Sequence, residues 1–238
     1  MNGKKILFVE DDKSLNYIVR DQLKVAGYDV REAYDGERAW ELFEHESFDL
    51  CLLDVMLPQI DGFSLAQQIR NVNQMVPILF LTAKSMHEDL IYGFSVGGDD
   101  YITKPFEMDE LLMRISVFLR RRFIHSGKEV IKRCRLGRYM VDFDDALTMT
   151  ADDGTVKMLT YKEAQLLQYF CDHTGQILNR SDILKQVWGS DDYYLGRSLD
   201  VFISHLRKYT KEDPDIKIVN LHGIGFKFVG EVSEIQRA

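Results

Sequence analysis

The chain has 238 residues, 45% hydrophobic and 29% charged, an ordinary globular composition with room for two domains of about 100–150 residues. A formal net charge of −8 excludes the bulk positive charge of a typical nucleic-acid binder, so any such role needs a local basic patch. No apolar run approaches the ~20 residues that span a bilayer, no signal-peptide core is present, and three scattered cysteines offer neither a disulfide framework nor a zinc spacing. The charge is unevenly shared. Residues 1–122 carry 14 Lys+Arg against 21 Asp+Glu, or −7, and residues 123–238 carry 16 against 17, or −1. An acidic half joined to a near-neutral half fits two domains with different tasks.

In chain order, Lys5 to Val9 reads as a short apolar strand ending in Glu10-Asp11-Asp12. Ser14 is placed to cap a helix bearing Leu15, Ile18, Val19 and Leu23, which Gly27 stops. A strand over 29–33 and a helix after Gly36 follow, then a third strand over 48–53 and a helix over 63–70. Pro77 opens a fourth strand ending at Thr82, a helix spans about 85–96, and a fifth strand over 101–103 ends at Lys104-Pro105. A last helix runs from Met108 to about Arg121. Five strand–helix alternations predict a parallel sheet covered on both faces.

Right-handed βαβ connections bring every strand's C-terminus to one edge of such a sheet. That edge collects Glu10, Asp11, Asp12, Asp54, Thr82 and Lys104. Clustered carboxylates repel unless they are protonated or hold a cation, and a hard ion such as Mg²⁺ suits them. Asp54, where the apolar run Leu50–Leu53 stops, is then a candidate nucleophile for a phosphoryl group. Lys104 supplies a cation and Thr82 a hydroxyl for the added anionic oxygens.

Glu10-Asp11, Asp54 in D-V-M-L-P-Q-I-D-G, Thr82-Ala83 and Asp99-Asp100-Tyr101-Ile102-Thr103-Lys104-Pro105-Phe106 resemble the receiver domain of two-component response regulators. The resemblance implies a flavodoxin-like (βα)5 fold with strand order 2-1-3-4-5, for which a member of this family serves as a standard illustration. It implies Asp54 as phosphoacceptor from a partner histidine kinase. It also implies Mg²⁺ bound by Asp11, Asp54 and the Met56 carbonyl, with Glu10 acting through water. Lys104 would precede a cis bond to Pro105, and Thr82 and Tyr101 would form the switch.

Residues 123–133 read as a linker. Beyond them the sequence suggests strands near 137–141, 147–150 and 156–159, a capping box at Thr160–Glu163 opening a helix to Gly175, and a second short helix from about Ser181 to Gly189. A third helix, from Arg197 or Ser198 to about Thr210, buries Leu199, Phe202, Ile203 and Leu206 at i, i+3, i+4 and i+7. Its other side carries Arg197, Val201, Ser204 and Lys208, with His205, Arg207 and Lys211 flanking. Strands over 217–220 and 226–229 enclose the hairpin Leu221-His222-Gly223-Ile224-Gly225.

Leu159-Thr160-Tyr161-Lys162-Glu163, Val187-Trp188-Gly189, the Arg197–Lys208 segment and Gly223-Ile224-Gly225-Phe226 resemble the α+β winged helix-turn-helix effector of the OmpR/PhoB subfamily, over about residues 134–230 of an expected domain of residues 134–238. The resemblance implies a DNA-binding transcription regulator in the cytoplasm, with no membrane partner. Its implied contacts are double-stranded promoter half-sites through Arg197, Ser204, His205, Arg207, Lys208 and His222, RNA polymerase, and a homodimer on phosphorylation. Relatives often carry basic side chains where Ser204, His205 and His222 stand, so weaker electrostatic binding is expected. The dimer face would include Asp99 with Arg121, Asp100 with Arg114, and Glu110, whose usual basic partner is replaced by Leu90, expected to add apolar contact there. A phosphatase would want a second aspartate two residues after the nucleophile, where Met56 stands. The receiver is expected to hydrolyse its own aspartyl phosphate at most. The same architecture working without phosphorylation, or docking on a protein partner, is the alternative.

Overall fold

A computed structural model describes residues 3–83, 87–119, 131–144, 146–189, 191 and 193–237. The chain divides into two compact units, Met1–Arg121 and Arg122–Ala238. The first alternates β1 (Lys5–Val9), α1 (Lys13–Val25), β2 (Asp29–Ala33), α2 (Gly36–His45), β3 (Leu50–Asp54), α3 (Gly62–Val72), β4 (Ile78–Thr82), α4 (His87–Ser95), β5 (Asp100–Thr103) and α5 (Met108–Leu119). The strands are parallel in the order β2-β1-β3-β4-β5. Every residue of β3 and β4 is buried, as befits central strands covered on both faces. Val9 pairs in register with Leu53, so Glu10 and Asp54 leave the sheet side by side.

Local chemistry differs from expectation at α1. Asp12, not Ser14, is the N-cap, accepting from the backbone N–H groups of Ser14 and Leu15. A carboxylate one residue before the helix reaches those orphan donors, and Ser14 already lies inside the helix. At the opposite edge of the sheet, Arg70 of α3 donates to the carbonyls of Gly97, Asn73 and Val76 and pairs with Asp99 at 2.7 Å. Asp99 is 0% exposed and also accepts the Ile78 N–H. This pair ties α3 to the loops entering β4 and β5.

The second unit contains β6 (Ile131–Leu136), β7 (Tyr139–Asp142), β8 (Thr148–Ala151), β9 (Val156–Met158), α6 (Tyr161–Asp172), β10 (Ile177–Asn179), α7 (Arg180–Trp188), α8 (Tyr193–Tyr209), β11 (Lys217–Leu221), β12 (Gly225–Val229) and β13 (Val232–Arg237). Two antiparallel sheets, β13-β6-β7-β8-β9 and β10-β12-β11, accompany the three helices. The linker expectation is corrected at its end, because β6 already begins at Ile131 and pairs with β7 and β13. Helix α8 starts at Tyr193, four residues before the expected Arg197. The predicted capping box is present, Thr160 accepting from the Glu163 N–H and Glu163 from the Thr160 N–H.

Removing the Asp99 carboxylate would leave the Arg70 guanidinium buried without its counter-charge. Asp99→Ala is expected to destabilise the first unit by about 3–5 kcal/mol, measured by denaturant unfolding of the full chain. A loss under about 1 kcal/mol would show that the carbonyls alone hold Arg70.

Candidate functional site

Four strand ends build the first site. The Lys104 ammonium donates to Asp54 Oδ2 and to Glu10 Oε2, each at 2.6 Å. The other Asp54 oxygen, Oδ1, accepts the Met56 N–H at 2.9 Å, which sets the plane of the carboxylate. The Lys104 N–H donates to the Thr82 carbonyl at 2.8 Å, and the Lys104–Pro105 peptide is cis. Gly62 permits the loop after β3 to turn back, since a Cβ there would lie 2.0 Å from the Asp54 carbonyl oxygen. Carboxylate oxygens of Glu10, Asp11 and Asp54 all lie within 4.8 Å of one another. Asp54 and Glu10 are buried, Asp11 is exposed, and Met56 is 57% exposed at the mouth.

Burial raises the Glu10 carboxyl from its ordinary 4.5 to about 7, against the opposing pull of Lys104. Burial would lower Lys104, but the hydrogen bonds that it donates to Asp54 and Glu10 outweigh it and hold the ammonium above its usual range. Glu10, Asp11 and Asp54 therefore outnumber the one ammonium bonded among them by two. All-oxygen donors at this spacing fit a hard divalent ion.

Thr82 is fully buried at the end of β4. The Tyr101 ring is already turned inward, 5.0 Å from both Phe80 and Phe94, and its hydroxyl donates to the Asp89 carbonyl at 3.3 Å. Gly93 makes room for it, because a Cβ there would meet the Tyr101 hydroxyl at 1.5 Å. Burial raises this phenol far above its usual range.

Three expectations for the dimer face change. Leu90 is 2% exposed and packs in the core, so it adds no apolar contact at a surface. Asp99 is spent on Arg70 within the chain, and its expected partner Arg121 lies outside the described residues. Asp100 and Arg114 do meet, at 3.2 Å, but inside one chain and buried, while Arg114 also bonds Glu110 at 2.8 Å.

In the second unit, Ser204 and Lys208 stand exposed on α8, and His222 is exposed at the hairpin between β11 and β12. Arg197 lies on the same helix. Two expected DNA contacts are redirected. His205 Nδ1 lies 2.9 Å from Glu163 Oε1, which also accepts the Tyr209 hydroxyl at 2.7 Å. Burial works against the charge on Glu163, but the bonds from His205, Thr160 and Tyr209 prevail and hold its carboxyl below the usual range. Arg207 donates twice to the Ile218 carbonyl and clamps α8 to β11. These partners stand far apart in the chain, so periodicity, which places both residues at the flank of the helix, could not find them. Asn16, whose side chain donates to the Glu10 carbonyl six residues earlier, carries no motif or periodicity that marks it as part of the site.

A family model for the response regulator receiver domain matches residues 6–116. Another, for the C-terminal domain of transcriptional regulatory proteins, matches residues 154–228. The transcriptional regulatory protein RprY of Bacteroides fragilis is 43% identical over 225 residues, covering 94% of each chain. The chain belongs to the response regulators of the OmpR/PhoB subfamily. Among solved structures, the response regulator DrrB of Thermotoga maritima, an OmpR/PhoB homolog, is 29% identical with a TM-score of 0.51, covering 96% of this chain and 100% of its own. A mutant of RitR shares the fold at 24% identity and a TM-score of 0.71, over 95% of this chain and 99% of its own. This response regulator therefore couples a receiver to a DNA-binding domain and is a phosphorylation-regulated transcription factor rather than a classical enzyme. Its family works with a histidine kinase. Among the described residues no helix is long and apolar enough to cross a membrane.

Glu10 supplies a pH test. A carboxyl whose folded value exceeds its unfolded value binds its proton more tightly in the folded state. Stability from this group is therefore intact below about pH 4.5 and falls as pH rises toward about 7. In chelator, wild type should lose stability relative to Glu10→Gln across that window, read by thermal unfolding at stepped pH. Parallel curves would mean that Glu10 titrates normally.

Proposed function

We propose that Asp54 is the phosphoacceptor and that its phosphorylation pairs two DNA-reading domains. The supporting observation is the Lys104 ammonium bridging Asp54 and Glu10 within an acidic cluster. A carboxylate oxygen of Asp54 attacks phosphorus, the P–N bond of a kinase phosphohistidine breaks, and the imidazole leaves with the electron pair and takes up a proton. Asp11, Asp54 and the Met56 carbonyl would hold Mg²⁺, with Glu10 acting through water. That ion supplies charge neutralisation for the phosphoryl oxygens. Lys104 exchanges its Asp54 contact for a phosphoryl oxygen, and the Thr82 hydroxyl donates to another. Water then hydrolyses the acyl phosphate slowly in the receiver itself.

Thr82 ends β4, the strand that precedes α4, and the Asp89 carbonyl and Gly93 of α4 seat Tyr101, so the new charge reaches the face formed by α4, β5 and α5. With Leu90 and Asp99 internal, the exposed apolar side chains of α4 and α5 include Ile91 and Met113, and Glu110 pairs with Arg114 on α5. We assign the homodimer contact to these. On DNA, α8 enters a major groove with Arg197, Ser204 and Lys208, and His222 reaches the neighbouring groove. The protein acts in the cytoplasm, where promoter DNA and RNA polymerase are reached.

A small acyl phosphate with Mg²⁺ should add one phosphoryl mass to wild type, labile to hydroxylamine, and convert monomer to dimer in sedimentation. Asp54→Ala should show neither change. Phosphorylation surviving in Asp54→Ala would move the acceptor elsewhere. For the effector, His222→Arg should steepen the slope of log affinity against log salt by about 0.9, the increment for one added phosphate contact. An unchanged slope would place residue 222 away from the duplex.

A further inference from the structure

Helix α8 carries a single acidic residue between Tyr193 and Tyr209, namely Asp200. A carboxylate on a helix that approaches a polyanion is unfavourable unless it is compensated. Asp200 is compensated by Arg180, the first residue of α7, through two near-parallel bonds of 2.8 Å, Nη1 to Oδ1 and Nη2 to Oδ2. The same guanidinium donates to the Gly196 carbonyl and lies 5.3 Å over the ring of Phe226, which follows the hairpin tip on β12. Asp200 shares an edge of α8 with Arg207, whose guanidinium is bonded to β11. The pair therefore stands in the cleft between helix and hairpin. It remains open there, with side-chain exposures of 36% for Arg180 and 59% for Asp200.

When a helix fills one groove and a hairpin reaches the next, the sugar–phosphate strand that separates the grooves passes between them. A fork-on-fork carboxylate has the geometry by which arginine also grips a phosphate. We propose that Arg180 and Asp200 form a phosphate-exchange site, in which Asp200 holds the guanidinium in the DNA-free chain and a backbone phosphate replaces it on binding. The proposal rests on α8 and the β11–β12 hairpin being the DNA-reading surface. Its consequence is that Asp200 is a competitor of DNA for one cation, while Phe226 and Gly196 keep that cation in place during the exchange. A pair that merely fastened α8 to α7 would behave oppositely, since loss of either partner would loosen the helix and weaken binding.

The two cases separate in a salt titration of the full chain with a mixed-sequence duplex of about 20 base pairs, followed by fluorescence anisotropy. Asp200→Asn should bind tighter than wild type, by about fivefold at ~0.1 M salt, with an unchanged log–log salt slope, because Arg180 neutralises the same one phosphate in both. Arg180→Met should bind more weakly, with a slope shallower by about 0.9. Weaker or unchanged binding by Asp200→Asn would overturn the exchange. Thermal unfolding of each variant shows whether weakening comes from lost folding, and Arg180→Lys, which keeps the charge without the fork, should fall between wild type and Arg180→Met. Absence of salt-dependent duplex binding by wild type itself would instead refute α8 and the hairpin as a DNA surface.

Discussion

The receiver depends on a charge imbalance held at the end of its sheet. Lys104 satisfies one oxygen of Asp54 and one of Glu10, yet Asp11 stands within reach of both, so three carboxylates share one resident ammonium. Parallel topology creates the arrangement, because in-register neighbours β1 and β3 must release their C-terminal residues together. Burial then makes it consequential. A carboxylate that loses water without gaining enough cations binds whatever cation is offered, whether a proton or a metal ion. The site is thus poised before any partner arrives, and the Met56 N–H keeps one Asp54 oxygen pointed while the other is held by a movable side chain.

The same logic, a buried charge that organises several elements, recurs twice away from this edge. Arg70 and Asp99 collect three loop carbonyls and a strand N–H, and Glu163 collects the N-terminus of α6 together with His205 and Tyr209 of α8. Both ionic centres lie where periodic apolar packing alone would leave polar backbone unsatisfied. Each consumes a side chain that its family pattern suggested for an intermolecular task. In this chain, internal order has first claim on Asp99 and His205.

Much of this was legible in the residues. Apolar runs of strand length, each ended by a polar residue and followed by a helix, lead to one sheet edge under the handedness of βαβ units, and that identifies Glu10, Asp11, Asp54, Thr82 and Lys104 together. The capping box was readable because it is local. What escaped was non-local. β6 carries Lys132, Arg133 and Arg135 among its six residues and becomes a strand through its partners β7 and β13. Leu90 looks like any helical leucine until the neighbouring packing decides its side. His205 sits at the helix flank, where a carboxylate 42 residues earlier in the chain captures it.

The clamping of Arg207 and the capture of His205 leave fewer of the described side chains of α8 to meet phosphates. A single effector domain would then grip one half-site loosely, dissociating quickly on its own. Joining two such domains makes the second contact intramolecular, at an effective concentration set by the tether, and avidity of this kind can exceed single-site affinity by about 10²–10⁴. Weak single contacts thus enlarge the ratio between the unpaired and the paired states. Under the proposed pairing on DNA, frugality of charge on α8 would serve as the gain control of the switch.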